Sequence, residues 1–317
     1  MKAFVFPGQG SQAVGMGSAL AKAFPAARRV LDEVDDALGQ KLSTLMFEGP
    51  EAELTLTANA QPALMAVSLA VVEVLRVEAG LDLARDAAFV AGHSLGEYSA
   101  LTAAGAIPLA AAARLLRLRG AAMQKAVKVG DGAMAALLGA DSEQAASIAA
   151  EAASDGGLCE VANDNGGGQV VVSGTKAAVD RAVEIARGRG IKRAIILPVS
   201  APFHCSLMQP AAEAMAAALA ETDLSAPCVP LVANVTAEPV TDPAAIRELL
   251  VRQVTGTVRW RECVAAMAKQ GVTLFVECGA GKVLSGLVKR IADGATGLAV
   301  GAPADVEAYR ARVGAEA

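Results

Sequence analysis

Apolar residues along this chain fall into two textures: short unbroken runs, and longer stretches in which they return every three or four positions. The runs at residues 2–6, 87–91, 133–138, 158–162, 169–173, 192–199, 229–234 and 274–278 read as strands, several of them buried on both faces. The stretches at 19–38, 63–79, 97–106, 109–123, 142–153, 177–189, 208–220, 244–253 and 279–291 carry helical spacing. A helix is also expected to start near Val14, after the turn Pro7-Gly8-Gln9-Gly10-Ser11-Gln12. Strand and helix alternate, which predicts an α/β fold. Residues 128–198 follow the order βαββαβ, a split ferredoxin-like unit, and read as a small lobe set into a larger one made of 1–127 and 199–317. Residues 301–317 are small and charged, and are expected to form a loosely held tail.

Hydrophobic residues make up 54% of the 317 positions but aromatic ones only 3%, so Ala, Val and Leu must fill the core. The uncharged run 98–113 falls short of the ~20 residues that span a bilayer and is interrupted by Pro108, so it reads as buried helix with no membrane role. The first residues reach Pro7-Gly8 without a long apolar region, which predicts no signal peptide and a cytoplasmic protein. Five scattered cysteines with no C-x-x-C spacing predict neither a disulfide framework nor a metal site. A net charge of −5 gives no reason to expect a nucleic-acid partner.

Chemistry concentrates at Gly92-His93-Ser94-Leu95-Gly96, between the strand at 87–91 and the helix at 97–106. A serine at a strand-to-helix turn flanked by glycines is the nucleophile-elbow pattern, and the helix N-terminus behind it favours developing negative charge. The chain has two histidines. His93 adjoins the serine and its side chain must leave in another direction, so His204 is the available base by elimination. No acidic partner for His204 stands out, and a backbone carbonyl is the alternative. Gly8-x-Gly10 only superficially matches a dinucleotide fingerprint; its turn either donates backbone amides to an oxyanion or is a plain tight turn. On a helical wheel Arg119 falls among Ala112, Leu115, Leu116 and Met123, so it either pairs with an internal carboxylate or awaits an anionic ligand.

Five motifs in this order, Gly8-Gln9-Gly10-Ser11-Gln12, Gly92-His93-Ser94-Leu95-Gly96-Glu97-Tyr98, Arg119-Gly120, Pro202-Phe203-His204 and Gly281-Lys282-Val283-Leu284, make the chain resemble malonyl-CoA:acyl carrier protein transacylases over nearly its whole length. The resemblance implies an α/β-hydrolase-like large subdomain with an inserted ferredoxin-like small subdomain. It implies Ser94 as the acyl-carrying nucleophile, His204 as its base, the amides of Gln9 and Leu95 as oxyanion hole, and Arg119 as the grip on the malonyl carboxylate. By the same match the Gln253 carbonyl orients the histidine, and Asn163, Asn165 and Gln169 line the coenzyme A cleft. Phe203 hints at preference for unbranched malonyl units. The implied reaction is ping-pong, from malonyl-CoA to the phosphopantetheine thiol of acyl carrier protein for fatty acid biosynthesis, with no resident cofactor and a monomeric enzyme. Because such carriers are acidic, Arg187, Arg189, Lys192 and Arg193 are a candidate docking cluster, or simply a solvated edge. The rival readings are a serine hydrolase or thioesterase using the same Ser94 and His204 with water as acceptor, and a scaffold that keeps only the fold.

Overall fold

The computed structural model describes residues 1–314. In chain order its strands are β1 (Lys2–Phe6), β2 (Phe89–Gly92), β3 (Gly132–Leu138), β4 (Cys159–Asp164), β5 (Gln169–Thr175), β6 (Arg193–Ile196), β7 (Leu231–Val232), β8 (Pro239–Val240), β9 (Leu274–Cys278) and β10 (Thr296–Val300). The larger sheet runs β10-β9-β1-β2-β7-β8, parallel except for β8 at its edge. Its central strands lack polar alternation because both faces are covered. Phe4, Phe6, Val90 and Val276 pack toward the helix Thr57–Ala79, whereas Ala3, Val5, Ala91 and Phe275 pack toward Trp260, Val264 and Val288. Register places Phe6 beside Gly92, so the turn after β1 and the turn after β2 leave the sheet side by side. This adjacency assembles the site.

The smaller sheet runs β4-β5-β3-β6, with every neighbour antiparallel, and so has the ferredoxin-like order expected of βαββαβ. Helices Ser142–Ala153 and Lys176–Gly188 cover one face through Ile148, Val179 and Val183. From the other face Met134, Ala136 and Val171 join the same apolar cluster as Phe203 and Met208. The small sheet is thus packed against the segment that carries His204.

Several expectations are corrected. No tail hangs from residue 301: β10 is followed by the helix Pro303–Gly314, whose Val306 and Tyr309 are buried, and the remaining residues 315–317 lie outside the described part. Charged residues on its outer face hid an apolar inner face. The helix expected near Val14 begins only at Ser18, because Gly15 and Gly17 sit at φ +96° and +77° and break the helical turn. Only Leu231–Val232 of the run at 229–234 pairs as strand. The run 98–113 is not one helix; Gly96–Ala103 ends before Gly105, at φ +78°, and Pro108 precedes the helix Leu109–Ala126. The uncharged runs 3–21, 54–72 and 194–212 are longer, and of these 54–72 is the apolar helical one. It feeds the helix Thr57–Ala79, apolar and long enough to cross a membrane by length and composition, yet with 83% of its most apolar window buried inside the protein.

Candidate active site

The elbow forms as its glycines require. A Cβ on Gly92 would lie 1.8 Å from the carbonyl carbon of Gly96, and one on Gly96 would lie 2.3 Å from the Phe6 oxygen. No side chain fits either place. Ser94 itself takes φ +54°, a left-handed conformation that costs a non-glycine residue energy and projects its hydroxyl off the turn. The surroundings hold it there: Ser94 N donates to Asn234 Oδ1 at 2.8 Å, and Gln253 Nε2 donates to Ser94 O at 2.8 Å.

His204 lies 110 positions away in sequence, and its Nε2 is 2.7 Å from Ser94 Oγ. Its Nδ1 is 2.9 Å from the Gln253 carbonyl oxygen. A carbonyl only accepts, so Nδ1 carries the proton and Nε2 presents its lone pair to the serine. Burial, and then the Arg119 cation, push His204 down to about 3, so the free ring is neutral and its Nε2 lone pair faces the serine hydroxyl. His204 is also in a left-handed conformation, at φ +57°. Its loop is clasped from the small sheet, where the Glu160 carboxylate accepts from Ser206 N at 2.8 Å and Ser206 Oγ at 2.6 Å.

Arg119 is 1% exposed. The inward-facing position read from the helical wheel is found, but the internal salt bridge is not: no Asp or Glu among the described residues pairs with it. Instead Nη1 donates to Gln61 Oε1 at 2.9 Å and Nη2 to Gln253 Oε1 at 2.8 Å, both neutral amides. Nη2 also reaches Ser94 Oγ at 3.1 Å, while Nε has no hydrogen-bond partner among the described residues. The guanidinium is oriented without a carboxylate partner, an arrangement that can receive an anion beside Ser94. Gly120 makes this possible: a Cβ there would lie 2.4 Å from the Thr57 oxygen, so only glycine lets the two helices approach closely enough for Arg119 to meet Gln61.

The backbone amides of Gln9 and Leu95 donate to no group among the described residues, whereas the Gln9 side chain donates to Thr57 Oγ1. Leu95 stands at the N-terminus of the elbow helix. The turn holding Gln9 presses on the elbow, since a Cβ on Gly8 would come within 2.8 Å of the His93 oxygen. Two free amides therefore flank the serine turn, and an oxyanion hole becomes the better of the two readings left open for the glycine turn.

His93 does turn away from Ser94. Its Nε2 is 2.8 Å from Asn165 Oδ1, its ring lies 5.9 Å from that of Trp260, and burial lowers its pKa. Asn165 thus reaches the elbow. Asn163 is buried on β4 and bridged through its backbone to Val258, so the strand extends past the 158–162 run read from the sequence. Gln169 opens β5, and its backbone closes the turn with Gly166 and Asn165, each at 3.0 Å. In the basic cluster, Arg189 pairs with the Glu151 carboxylate, which reduces the net charge offered to a partner, whereas Arg187 donates to the neutral Ala194 carbonyl.

Three residues escaped the sequence reading. Gln61 is a buried amide in a predominantly apolar helix, which was a usable clue. Glu97 is 1% exposed, and its two carboxyl oxygens accept from Asn234 N and Gln253 Nε2. Burial pushes its pKa up, against the pull of those donors and of Arg119; both groups that face its oxygens are N–H donors, so the geometry fits the ionised carboxylate, which accepts at each oxygen. Asn234 donates from Nδ2 to the Gly92 oxygen at 2.8 Å; no local pattern marks it.

Comparison with known proteins agrees with this geometry. Residues 3–300 match the family described as acyl transferase domain. The malonyl CoA-acyl carrier protein transacylase of Bacillus subtilis (strain 168) is 48% identical over 305 residues, covering 96% of this chain and 95% of its own. The crystal structure of an acyl-carrier-protein-S-malonyltransferase from Bartonella henselae superposes with a TM-score of 0.96 at 56% identity, covering 99% of each chain. A malonyl-transacylase solved in complex with its type II PKS acyl-carrier protein superposes at 0.94, with 42% identity over 98% of this chain and 99% of that one.

Proposed function

The chain belongs to the acyl transferase family and transfers malonyl from malonyl-CoA to acyl carrier protein; from that premise we propose that the group travels as an ester on Ser94. His204 Nε2 takes the Ser94 proton as Oγ attacks the thioester carbon. The tetrahedral oxyanion is received by the Gln9 and Leu95 amides, each worth about 3 kcal/mol by the usual scale of such donors. As the intermediate collapses, the C–S bond breaks and the proton on His204 passes to the coenzyme A sulfur. In the second half-reaction the phosphopantetheine thiol gives its proton to His204, attacks the ester, and Ser94 leaves with the proton returned. Arg119 grips the malonyl carboxylate in both halves with its planar fork. Asn163, Asn165 and Gln169 are assigned to the coenzyme A side of the cleft, and fatty acid assembly to the destination of the product. The nucleophile, base, oxyanion amides and carboxylate grip are supplied by the chain, and the acyl group and both thiols by its substrates.

One observation carries the reading: the serine oxygen sits 2.7 Å from a neutral imidazole and 3.1 Å from an unpaired guanidinium. Nucleophile, base and anion grip converge on one atom. The test is to form the acyl-protein with malonyl-CoA, remove excess donor, and add holo carrier protein or buffer alone. Rapid appearance of malonyl-carrier with slow loss to buffer is expected. Equal loss in both arms would make the protein a hydrolase.

The pH profile follows from His204. In the free protein its pKa lies near 3, so kcat/KM for malonyl-CoA is expected to stay flat as pH falls from about 8 to about 5, without the step near 6.5 of an ordinary histidine. A malonyl carboxylate on Arg119 offsets the second cause of the depression. The acid limb of kcat, which reports the occupied site, is therefore expected at higher pH than that of kcat/KM. A limb near 6.5 in kcat/KM would contradict the assignment.

A further inference from the structure

Beneath the nucleophile lies a buried polar network that the reaction as written does not use. Asn234 holds the nitrogen of Ser94 and Gln253 holds its oxygen, and Glu97 accepts from both residues. Gln253 also touches two other parts of the machinery: its backbone carbonyl accepts a hydrogen bond from His204 Nδ1–H, and its Oε1 accepts one from Arg119 Nη2 at 2.8 Å. The side-chain amide therefore has a required orientation. Its nitrogen must face the acceptors Glu97 and Ser94 O, and its oxygen must face the donor Arg119.

We propose that Glu97 is a positioning residue for malonyl selection, fixing the Gln253 amide so that an acceptor faces Arg119 and the guanidinium is held beside Ser94. This deepens the malonyl-transfer reading and rests on it. A carboxyl group suits the post because it offers an acceptor to each of two N–H groups that approach from different elements, the Asn234 backbone and the Gln253 side chain. A glutamine of the same size offers one acceptor and one donor. If its oxygen served Asn234 N, its nitrogen would face the Gln253 nitrogen, donor against donor. Relief by flipping Gln253 would place two donors together at Arg119 and two acceptors together at Ser94 O. Glu97 lies behind the elbow in the first turn of Gly96–Ala103, so its influence on the acyl group passes through Gln253 and Arg119.

The distinguishing readout is a ratio. Damage to the elbow alone slows every donor alike, because Ser94 and the oxyanion amides serve all of them, whereas loss of the Arg119 pose penalises only donors that carry a carboxylate. Single-turnover acylation of Ser94 by malonyl-CoA and by acetyl-CoA is measured for the unmodified protein, Glu97→Gln and Glu97→Asp, each checked for folding by circular dichroism. In Glu97→Gln the malonyl-to-acetyl ratio of kcat/KM is expected to fall by about tenfold or more, the scale of one lost charge-assisted hydrogen bond. Glu97→Asp keeps two acceptor oxygens at shorter reach and is expected to fall between. An unchanged ratio in Glu97→Gln, or a Glu97→Asp protein less selective than Glu97→Gln, overturns the role of Glu97 while leaving malonyl transfer standing. An unmodified protein that forms no malonyl ester at Ser94 overturns the underlying reading, and the proposal with it.

Discussion

Arg119→Ala is expected to lower malonyl transfer by about 10²- to 10³-fold in kcat/KM, the 2–5 kcal/mol usually lost when one partner of a buried charge pair is removed, and to leave acetyl transfer nearly unchanged or improved. The direction follows from the partners of the guanidinium. Gln61 and Gln253 orient it but do not neutralise it, so in the unmodified protein an acetyl group leaves a buried cation uncompensated, whereas a malonyl carboxylate satisfies it. Removing the cation abolishes both the reward for malonyl and the penalty for acetyl. Arg119→Lys is expected to fall between, because an ammonium keeps the charge without the fork that meets two oxygens at once. Paired kcat/KM values for malonyl-CoA and acetyl-CoA check this. Equal losses for both donors would remove Arg119 from substrate selection.

His204→Ala is expected to slow formation of the Ser94 ester by ~10²- to 10⁴-fold, the usual contribution of a positioned general base. The 2.7 Å contact leaves no space for an intervening water, and the Gln253 carbonyl fixes the tautomer that makes Nε2 the acceptor. A backbone carbonyl replaces the carboxylate of a Ser-His-Asp arrangement, so the imidazolium formed during attack is stabilised by a dipole instead of a charge. Residual activity is expected from the oxyanion amides and from Arg119, which do not depend on His204. Rapid-quench single-turnover measurement with malonyl-CoA gives the number. A loss below about tenfold would transfer the role of base elsewhere.

Much of this site was legible because its residues obey local rules. The elbow glycines, a serine between strand and helix and an arginine on the apolar side of a helix all leave periodic or steric traces. His204 was reachable because the composition offers only one other histidine. Choosing between a salt bridge and an anion site for Arg119 needed Gln61 and Gln253, which come from helices far apart in sequence. Likewise Glu97 and Asn234 gain their meaning from a meeting of segments 137 positions apart that no periodicity encodes. The C-terminal helix was misread for a related reason: its apolar residues are few, and only packing against the sheet shows that Val306 and Tyr309 belong to the core.

Transfer by this route requires a covalent ester at one hydroxyl. Its most direct test is peptide mass mapping of the protein quenched within one turnover of malonyl-CoA, alongside Ser94→Ala treated in the same way. A malonyl mass increase confined to the Ser94 peptide and absent from Ser94→Ala is the predicted result. Carrier protein malonylated at an undiminished rate by Ser94→Ala would contradict it.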